Sequence, residues 1–328
     1  MKRVGIGFFG NYPCDEMLEC VKLAEKRGVH SAWMAEDYFF RDGFNPAAAF
    51  AAVTRRMKIG IGTVNPYTRH PALIAMCLAT LDEISRGRMI LGIGSSVRAW
   101  IEDQMGLQYR KPLTAVKESV EVIRAFLKGE PVTYRGEFFN VSNATLTFKP
   151  VRMHVPIYVA AMRKRGLQAA GALGDGVFLS GGSSVEYCKF AVANIVEGAK
   201  KAGRDPAKVD VAAYIYCVVS NDSKKAKESV KDIIASEFAF GDIFSDIIQT
   251  TGYSLVEVAP IADAYRRGNV KEAVKMVKDE HVEAFTAAGT AKECREKVEA
   301  YRSAGVKLPI LMPVKGSPKR AVEAVGKA

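Results

Sequence analysis

With 328 residues, 48% of them hydrophobic and 25% charged, the chain has enough apolar content for a large core, which excludes a disordered or low-complexity protein. No apolar run is long enough to cross a bilayer, and the formal net charge of +11 is spread over helix faces such as those from Lys22 to Arg27, Lys200 to Arg204 and Lys224 to Lys231. With no single basic block, neither nucleic acid nor a membrane is an expected partner. Six cysteines form no CxxC pair, and His30, His70, His154 and His281 have no ligand spacing, so no metal is expected. The cysteines read as reduced, mostly core residues of a cytosolic, cytoplasmic protein.

From the N-terminus, Val4 to Phe9 reads as a strand and Asp15 to Arg27 as a helix closed by Gly28. Asp15 is placed to cap that helix, and Leu18, Val21 and Ala24 mark its inner face. His30 to Ala35 is a second strand ending in Glu36-Asp37. Gly5-Ile6-Gly7-Phe8-Phe9-Gly10 matches GxGxxG by letter. A dinucleotide fingerprint must follow a strand and open a helix, however, and here only four residues precede it and Pro13 intervenes. The match is therefore read as accidental.

Ala47 to Thr54 is expected to be a helix. In Lys58 to Val64, Ile59 and Ile61 alternate with glycines, as a tightly packed strand requires. Asn65, Pro66, Arg69 and Pro71 then make a polar corner, and a helix starts at Pro71, where a first-turn proline is harmless. Ser85-Arg86-Gly87 stops it, and Arg88 to Gly94 is the next strand. Parallel α/β proteins hold small ligands beyond the carboxyl ends of their strands. Gly62, Thr63, Val64 and Asn65, with Gly94, Ser95 and Ser96, are accordingly the first candidates for a binding site.

Trp100 to Met105 and Lys111 to Leu127 read as helices. Between Pro131 and Pro150 the pattern changes to Tyr134–Phe139 followed by Ala144–Phe148, an expected hairpin outside the main repeat. Alternation resumes with a strand at Ile157 to Ala161, a helix at Arg165 to Ala172, and a strand at Gly176 to Leu179 that ends in Ser180-Gly181-Gly182. A helix from Val185 to Ala202 and a strand from Val209 to Val219 follow. Lys224 to Arg267 and Val270 to Phe285 look helical throughout, giving a second irregular insertion at about 238–285. A helix from Ala291 to Ser303, a strand from Leu308 to Leu311 and a helix after Pro318 close the chain. Eight strands with intervening helices predict an α/β fold, a (β/α)8 TIM barrel spanning 1–328 as one domain with insertions at about 131–150 and 238–285. A doubly wound sheet is the alternative; regular spacing without a linker-like break favours the barrel.

Three runs carry a resemblance: Gly60-Ile61-Gly62-Thr63-Val64-Asn65-Pro66-Tyr67 through Pro71, Ala79-Thr80-Leu81-Asp82-Glu83, and Gly87-Arg88-Met89-Ile90-Leu91-Gly92-Ile93-Gly94. Pro156 to Ala161, Ala170 to Gly176 and Gly289-Thr290 continue it over nearly the whole chain. The sequence resembles the bacterial-luciferase-like superfamily, nearest to coenzyme F420-dependent methylenetetrahydromethanopterin reductases.

The resemblance implies a cytoplasmic oxidoreductase that passes a hydride between coenzyme F420, a deazaflavin, and a small organic or pterin-bound C1 substrate such as a tetrahydromethanopterin derivative. The alternatives are an FMN-dependent monooxygenase and a non-catalytic flavin-binding relative. It further implies a non-prolyl cis peptide at Gly62-Thr63 behind the ring. The cofactor phosphate is expected near Met162, Arg163, Lys164 and Arg165 and near Gly181 and Gly182, where helix starts suit an anion. Relatives usually carry glycines first in the former loop, so its basic version is a departure. They commonly end the second strand with Asp-His, where this chain has Glu36-Asp37, leaving Glu36 and Asp37 as the candidate catalytic groups. Many place an acid where Val97 stands here. A homodimer through helices near Leu73 to Leu81 and Lys111 to Leu127 is also implied.

Overall fold

The structure, a computed structural model, describes residues 2–326. Its eight barrel strands are β1 (Gly5–Phe8), β2 (Ser31–Met34), β3 (Lys58–Val64), β4 (Met89–Ile93), β5 (Ile157–Ala160), β6 (Gly176–Leu179), β7 (Asp210–Val219) and β8 (Leu308–Pro313). Each is parallel to its neighbours in the order of the chain, and β8 pairs with both β7 and β1, so the sheet closes on itself. β1, β2, β4 and β6 are short, wholly buried runs, as parallel strands covered on both faces must be. Helices fill the crossovers, and the expected α/β (β/α)8 TIM barrel is the observed fold.

Side chains fill the barrel in layers. At the amino end of the strands, Arg3 donates two hydrogen bonds, at 2.8 and 2.7 Å, to Asp210, which also accepts from the Tyr158 hydroxyl at 2.5 Å. Above them Trp33 packs on Phe178 with ring centroids 5.1 Å apart. Gly60 pairs with Trp33 across the sheet, and a Cβ there would overlap the indole, so glycine makes room for the largest side chain of the core. Arg88, 7% exposed, fixes the same end from outside the barrel. Its guanidinium donates to the carbonyls of Ala51, Thr54, Met57 and Ser85 and to the Thr54 hydroxyl, tying the helix Phe44–Val53 to the helix Pro71–Ile84.

Two segments depart from expectation. The hairpin pairs Val132–Arg135 with Asn140–Ala144, several residues ahead of the expected strands. The cause is Glu118, on the helix Pro112–Leu127, whose carboxylate accepts the amides of Glu137, Phe138 and Phe139 at 2.7, 2.9 and 2.9 Å and so converts those residues into the turn. After β7, the expected long helices are short pieces: Ser223–Glu228, Lys231–Ala239, Gly241–Thr250, Leu255–Arg266, Val270–Met276 and Asp279–Phe285. A short strand, Ala287–Gly289, then pairs with Cys217–Val219. Because Cys217 also pairs with Pro313 of β8, this strand occupies the side of β7 that β6 leaves vacant beyond Leu179. Thus β7 runs ten residues, and its upper half carries the insertion.

Candidate active site

Alternate residues of a barrel strand face the interior, and β7 turns Tyr214 and Tyr216 inward, two residues apart. Tyr214 packs edge-on against Phe178 at 4.4 Å and closes the aromatic core from above. Its hydroxyl crosses the barrel and donates to the carbonyl of Gly62 at 3.0 Å. At that point β3 departs from regular pairing: the register with β4 shifts between Ile61 and Val64, and the Gly62–Thr63 peptide is cis. Above Tyr214 lies a cavity of about 580 Å³ at the carboxyl ends of the strands.

The side of this cavity formed by β3, β4 and β5 is mainly backbone and small side chains: Gly62, Thr63, Gly94, Ser95, Ser96 and Ala160. The strands come so close here that a Cβ on Gly92 would lie 2.9 Å from Gly62 Cα. Ser96 adopts a left-handed backbone, φ 58°, and its Oγ is buried with no hydrogen-bond partner among the described residues. Aromatic side chains supply much of the remainder, with Phe9, Tyr38, Phe40, Trp100, Phe240 and Phe244 around the space.

Three carboxyl groups line the cavity, each in a different environment. Glu36 is already engaged, accepting the Gly43 amide at 2.6 Å and Arg69 Nε at 2.9 Å. Arg69 in turn lies over the Phe44 ring, 4.6 Å from its centroid. Asp37 has no side-chain hydrogen bond among those of the described residues, and burial, with the neighbouring Glu36 charge, pushes its pKa up to about 6. Glu237 comes from the helix Lys231–Ala239 and accepts the Tyr216 hydroxyl at 2.6 Å. Burial raises its pKa to about 7; the Tyr216 hydrogen bond works against that rise and the Asp37 charge adds to it. Desolvation also holds the Tyr214 and Tyr216 phenols protonated, well above their ordinary range. At neutral pH, therefore, the cavity contains two groups able to exchange protons, Asp37 and Glu237, and two phenols fixed as donors.

Of the residues singled out from the sequence, Glu36, Asp37, Gly62, Thr63, Gly94, Ser95, Ser96, Met162 and Gly181 line the cavity. Val64, Asn65, Arg163 and Gly182 do not. The register shift turns Val64 into the core, where it is fully buried. Asn65 turns to its own loop, accepting the amides of Tyr67 and Thr68 at 2.9 and 3.0 Å and donating to the Tyr38 hydroxyl. Arg163 stands exposed at the cap position of the helix Lys164–Leu173. Gly182, φ 74°, lies one residue past the wall. Gly181 has a more definite part: a Cβ there would overlap the Tyr216 ring, so this glycine seats the phenol that reaches Glu237.

Sequence reading missed Tyr214, Tyr216 and Glu237. Two tyrosines at strand spacing inside a nearly unbroken apolar run were the available signal, since buried hydroxyls need partners. A lone glutamate between Ile233-Ile234 and Phe238 was the other.

Among the described residues no group of three or more His, Cys, Asp and Glu is arranged to hold a metal ion, and no helix is long and apolar enough to cross a membrane.

Comparison with known proteins places these features in context. Residues 9–308 match the family described as luciferase-like monooxygenase. A 5,10-methylenetetrahydromethanopterin reductase of Methanolobus tindarius is 34% identical over 325 residues, covering 98% of both chains. One from Archaeoglobus fulgidus is 32% identical over 330 residues, covering 99% of this chain and 98% of its own. The solved structure of the coenzyme F420-dependent tetrahydromethanopterin reductase of Methanopyrus kandleri superposes with a TM-score of 0.89 at 28% identity, covering 99% of this chain and 98% of its own.

Proposed function

The chain belongs to the luciferase-like monooxygenase family, and from that premise we propose that it is a coenzyme F420-dependent oxidoreductase acting on a small organic or pterin-bound C1 substrate, with methylenetetrahydromethanopterin reduction as the specific reaction. One observation carries the reading. The cavity sets a largely backbone wall at Gly62, Thr63, Gly94 and Ala160 across the barrel from the hydrogen-bonded pair of Tyr216 and the titratable Glu237. A planar ring suits the first side and a substrate with a basic nitrogen suits the second. Full-length similarity to reductases of that name supports the same assignment.

The residues present fit such a ring. The orphaned Ser96 hydroxyl lies at the wall with a hydrogen bond to give, and the narrow gap between β3 and β4 leaves their peptide groups as the contact surface. When bound, a reduced deazaflavin supplies a hydride to an electrophilic carbon. The protein holds the two reactants together and excludes water with Tyr38, Trp100 and Phe244. Glu237, its pKa raised by burial to about 7, holds or releases the proton taken up by the nitrogen freed when the hydride-accepting carbon is reduced, and Asp37 is the second proton-exchanging group of the cavity. Glu36 has a different part, clamping the loop through Gly43 and Arg69.

Leu73, Met76 and Ile84, exposed at 52%, 43% and 46%, share one face of the helix Pro71–Ile84. They support a homodimer through that helix, which light scattering would test as a particle twice the chain mass.

Titration with F420 and with FMN followed by absorbance, run anaerobically for binding and hydride transfer and repeated in air with oxygen uptake recorded, tests the main reading. Saturable binding of F420 with hydride transfer to methylenetetrahydromethanopterin is expected. Binding of FMN with oxygen consumption would instead establish the monooxygenase alternative, and binding without turnover of any acceptor the non-catalytic one.

A further inference from the structure

Outside the cavity, next to Ser95 and Ser96, stands a group of stacked rings and guanidinium groups that the proposed hydride chemistry leaves unused. The Tyr109 hydroxyl donates to Ser95 Oγ at 3.3 Å and to the Ser96 carbonyl at 3.2 Å, so this group shares a wall with the cavity. Tyr67 stacks on Tyr109 at 5.0 Å and 37°, and its hydroxyl donates to the Arg110 carbonyl at 2.8 Å. Phe138, from the hairpin, meets Tyr67 edge-on at 5.7 Å.

Two arginines lie over these rings: Arg98 over Tyr109 at 5.4 Å and Arg110 over Phe138 at 4.7 Å. Stacking occupies the face of a guanidinium but leaves its in-plane N–H edge free, the edge that accepts a carboxylate or phosphate in bidentate fashion. Arg98 pairs with Glu102 and Lys111 with Glu137. Arg110, exposed, has no acidic partner within ion-pair distance among the described residues. Its side chain is thus held by an aromatic ring in the cluster that adjoins the Ser95–Ser96 wall of the cavity, with its donors unspent.

We propose that Arg110, seated on Phe138 and backed by Arg98 on Tyr109, is a subsite for the carboxylate-bearing tail of a molecule whose ring occupies the cavity. The proposal rests on the oxidoreductase reading and extends it by assigning the acidic end of the ligand to this rim. Two molecules bring such a tail: the deazaflavin, through its glutamyl chain, and a pterin substrate with an acidic side chain.

Fluorescence titration of wild type, Arg110→Met and Arg110→Glu with F420 and with the tailless deazaflavin riboflavin analogue is the first arm. The second compares KM for methylenetetrahydromethanopterin and for its pterin fragment lacking the acidic chain. Loss of one charge-assisted contact weakens the tailed ligand about tenfold, more for Arg110→Glu than for Arg110→Met, and leaves the tailless one unchanged. Selective loss in the first arm assigns the tail to the cofactor, and selective loss in the second to the substrate. Equal affinities in all three proteins for tailed and tailless ligands alike would overturn the subsite while leaving the oxidoreductase reading intact. Failure of the wild type to bind either deazaflavin would remove that reading, and the subsite with it.

Discussion

The Tyr216 hydroxyl donates to Glu237 at 2.6 Å across the junction between β7 and the helical insertion. This bond stabilises the carboxylate form, opposing the desolvation that raises the pKa of Glu237 to about 7. Tyr216→Phe removes the opposing contribution. The pKa of Glu237 should rise further, and any pH profile it governs should move to higher pH, readable from the carboxyl infrared band even without turnover.

Stability should depend on pH through the same cavity. Asp37 and Glu237 both titrate higher in the folded protein than in the unfolded chain, so the folded state binds more protons between the ordinary carboxyl range and about pH 6 to 7. Their contribution is fully present below that ordinary range and is lost as pH rises through 6 and 7, at up to about 1.4 kcal/mol per pH unit for each group. Glu237→Gln retains an acceptor for Tyr216 and removes one titration. Denaturant melts from pH 4 to 8 should show a flatter profile for the variant and a gain on the order of 2 kcal/mol at the alkaline end. An unchanged slope would count against a buried, titrating Glu237.

Gly181→Ala places a methyl group inside the Tyr216 ring. The ring is buried against Phe9 at 5.6 Å and tied to Glu237, so it has little room to retreat. Overpacking of this kind costs about 1 to 3 kcal/mol, and here it should also displace the donor from Glu237. Urea denaturation would give the first effect and ligand affinity the second.

At the opposite end of the barrel, Arg88→Met should separate stability from binding. The substitution leaves the carbonyls of Ala51, Thr54, Met57 and Ser85 without a donor in a buried setting, at a cost of about 3 kcal/mol or more. Because these contacts lie at the amino end of β4, cofactor affinity of the remaining folded protein should match wild type.

Asp37→Asn tests the other carboxyl. An acid limb near pH 6 in the rate profile should disappear, and turnover unaltered at every pH would remove Asp37 from the chemistry.

Legibility in the sequence followed how local each determinant is. The strand Lys58–Val64 and the helix start at Pro71 are found where expected, because a glycine-spaced apolar run and a proline corner act over a few residues. The hairpin register was hidden because its turn is organised by Glu118, about twenty positions earlier, through three amides that carry no side-chain signature. Glu36 and Asp37 were legible as polar residues at a strand end, but not their division of labour. That depends on Arg69, 33 positions away, engaging one of them and leaving the other without a partner. Asn65 looked like a ligand contact and proved to be the organiser of its own turn, as asparagine often is. Tyr216 and Glu237 are 21 positions apart and meet only through the folded insertion.

The length of β7 gives the architecture a modular character. Its lower half belongs to the ring of strands common to the scaffold, and its upper half carries the helices that bring Glu237, Phe240 and Phe244 over the cavity. The backbone surface at Gly62 and Gly94 is encoded far from those helices. On the proposed reading, exchange of the segment from Lys231 to Thr250 by duplication, recombination or engineering would therefore retarget the molecule toward a new acceptor while the wall proposed for the cofactor ring is inherited unaltered.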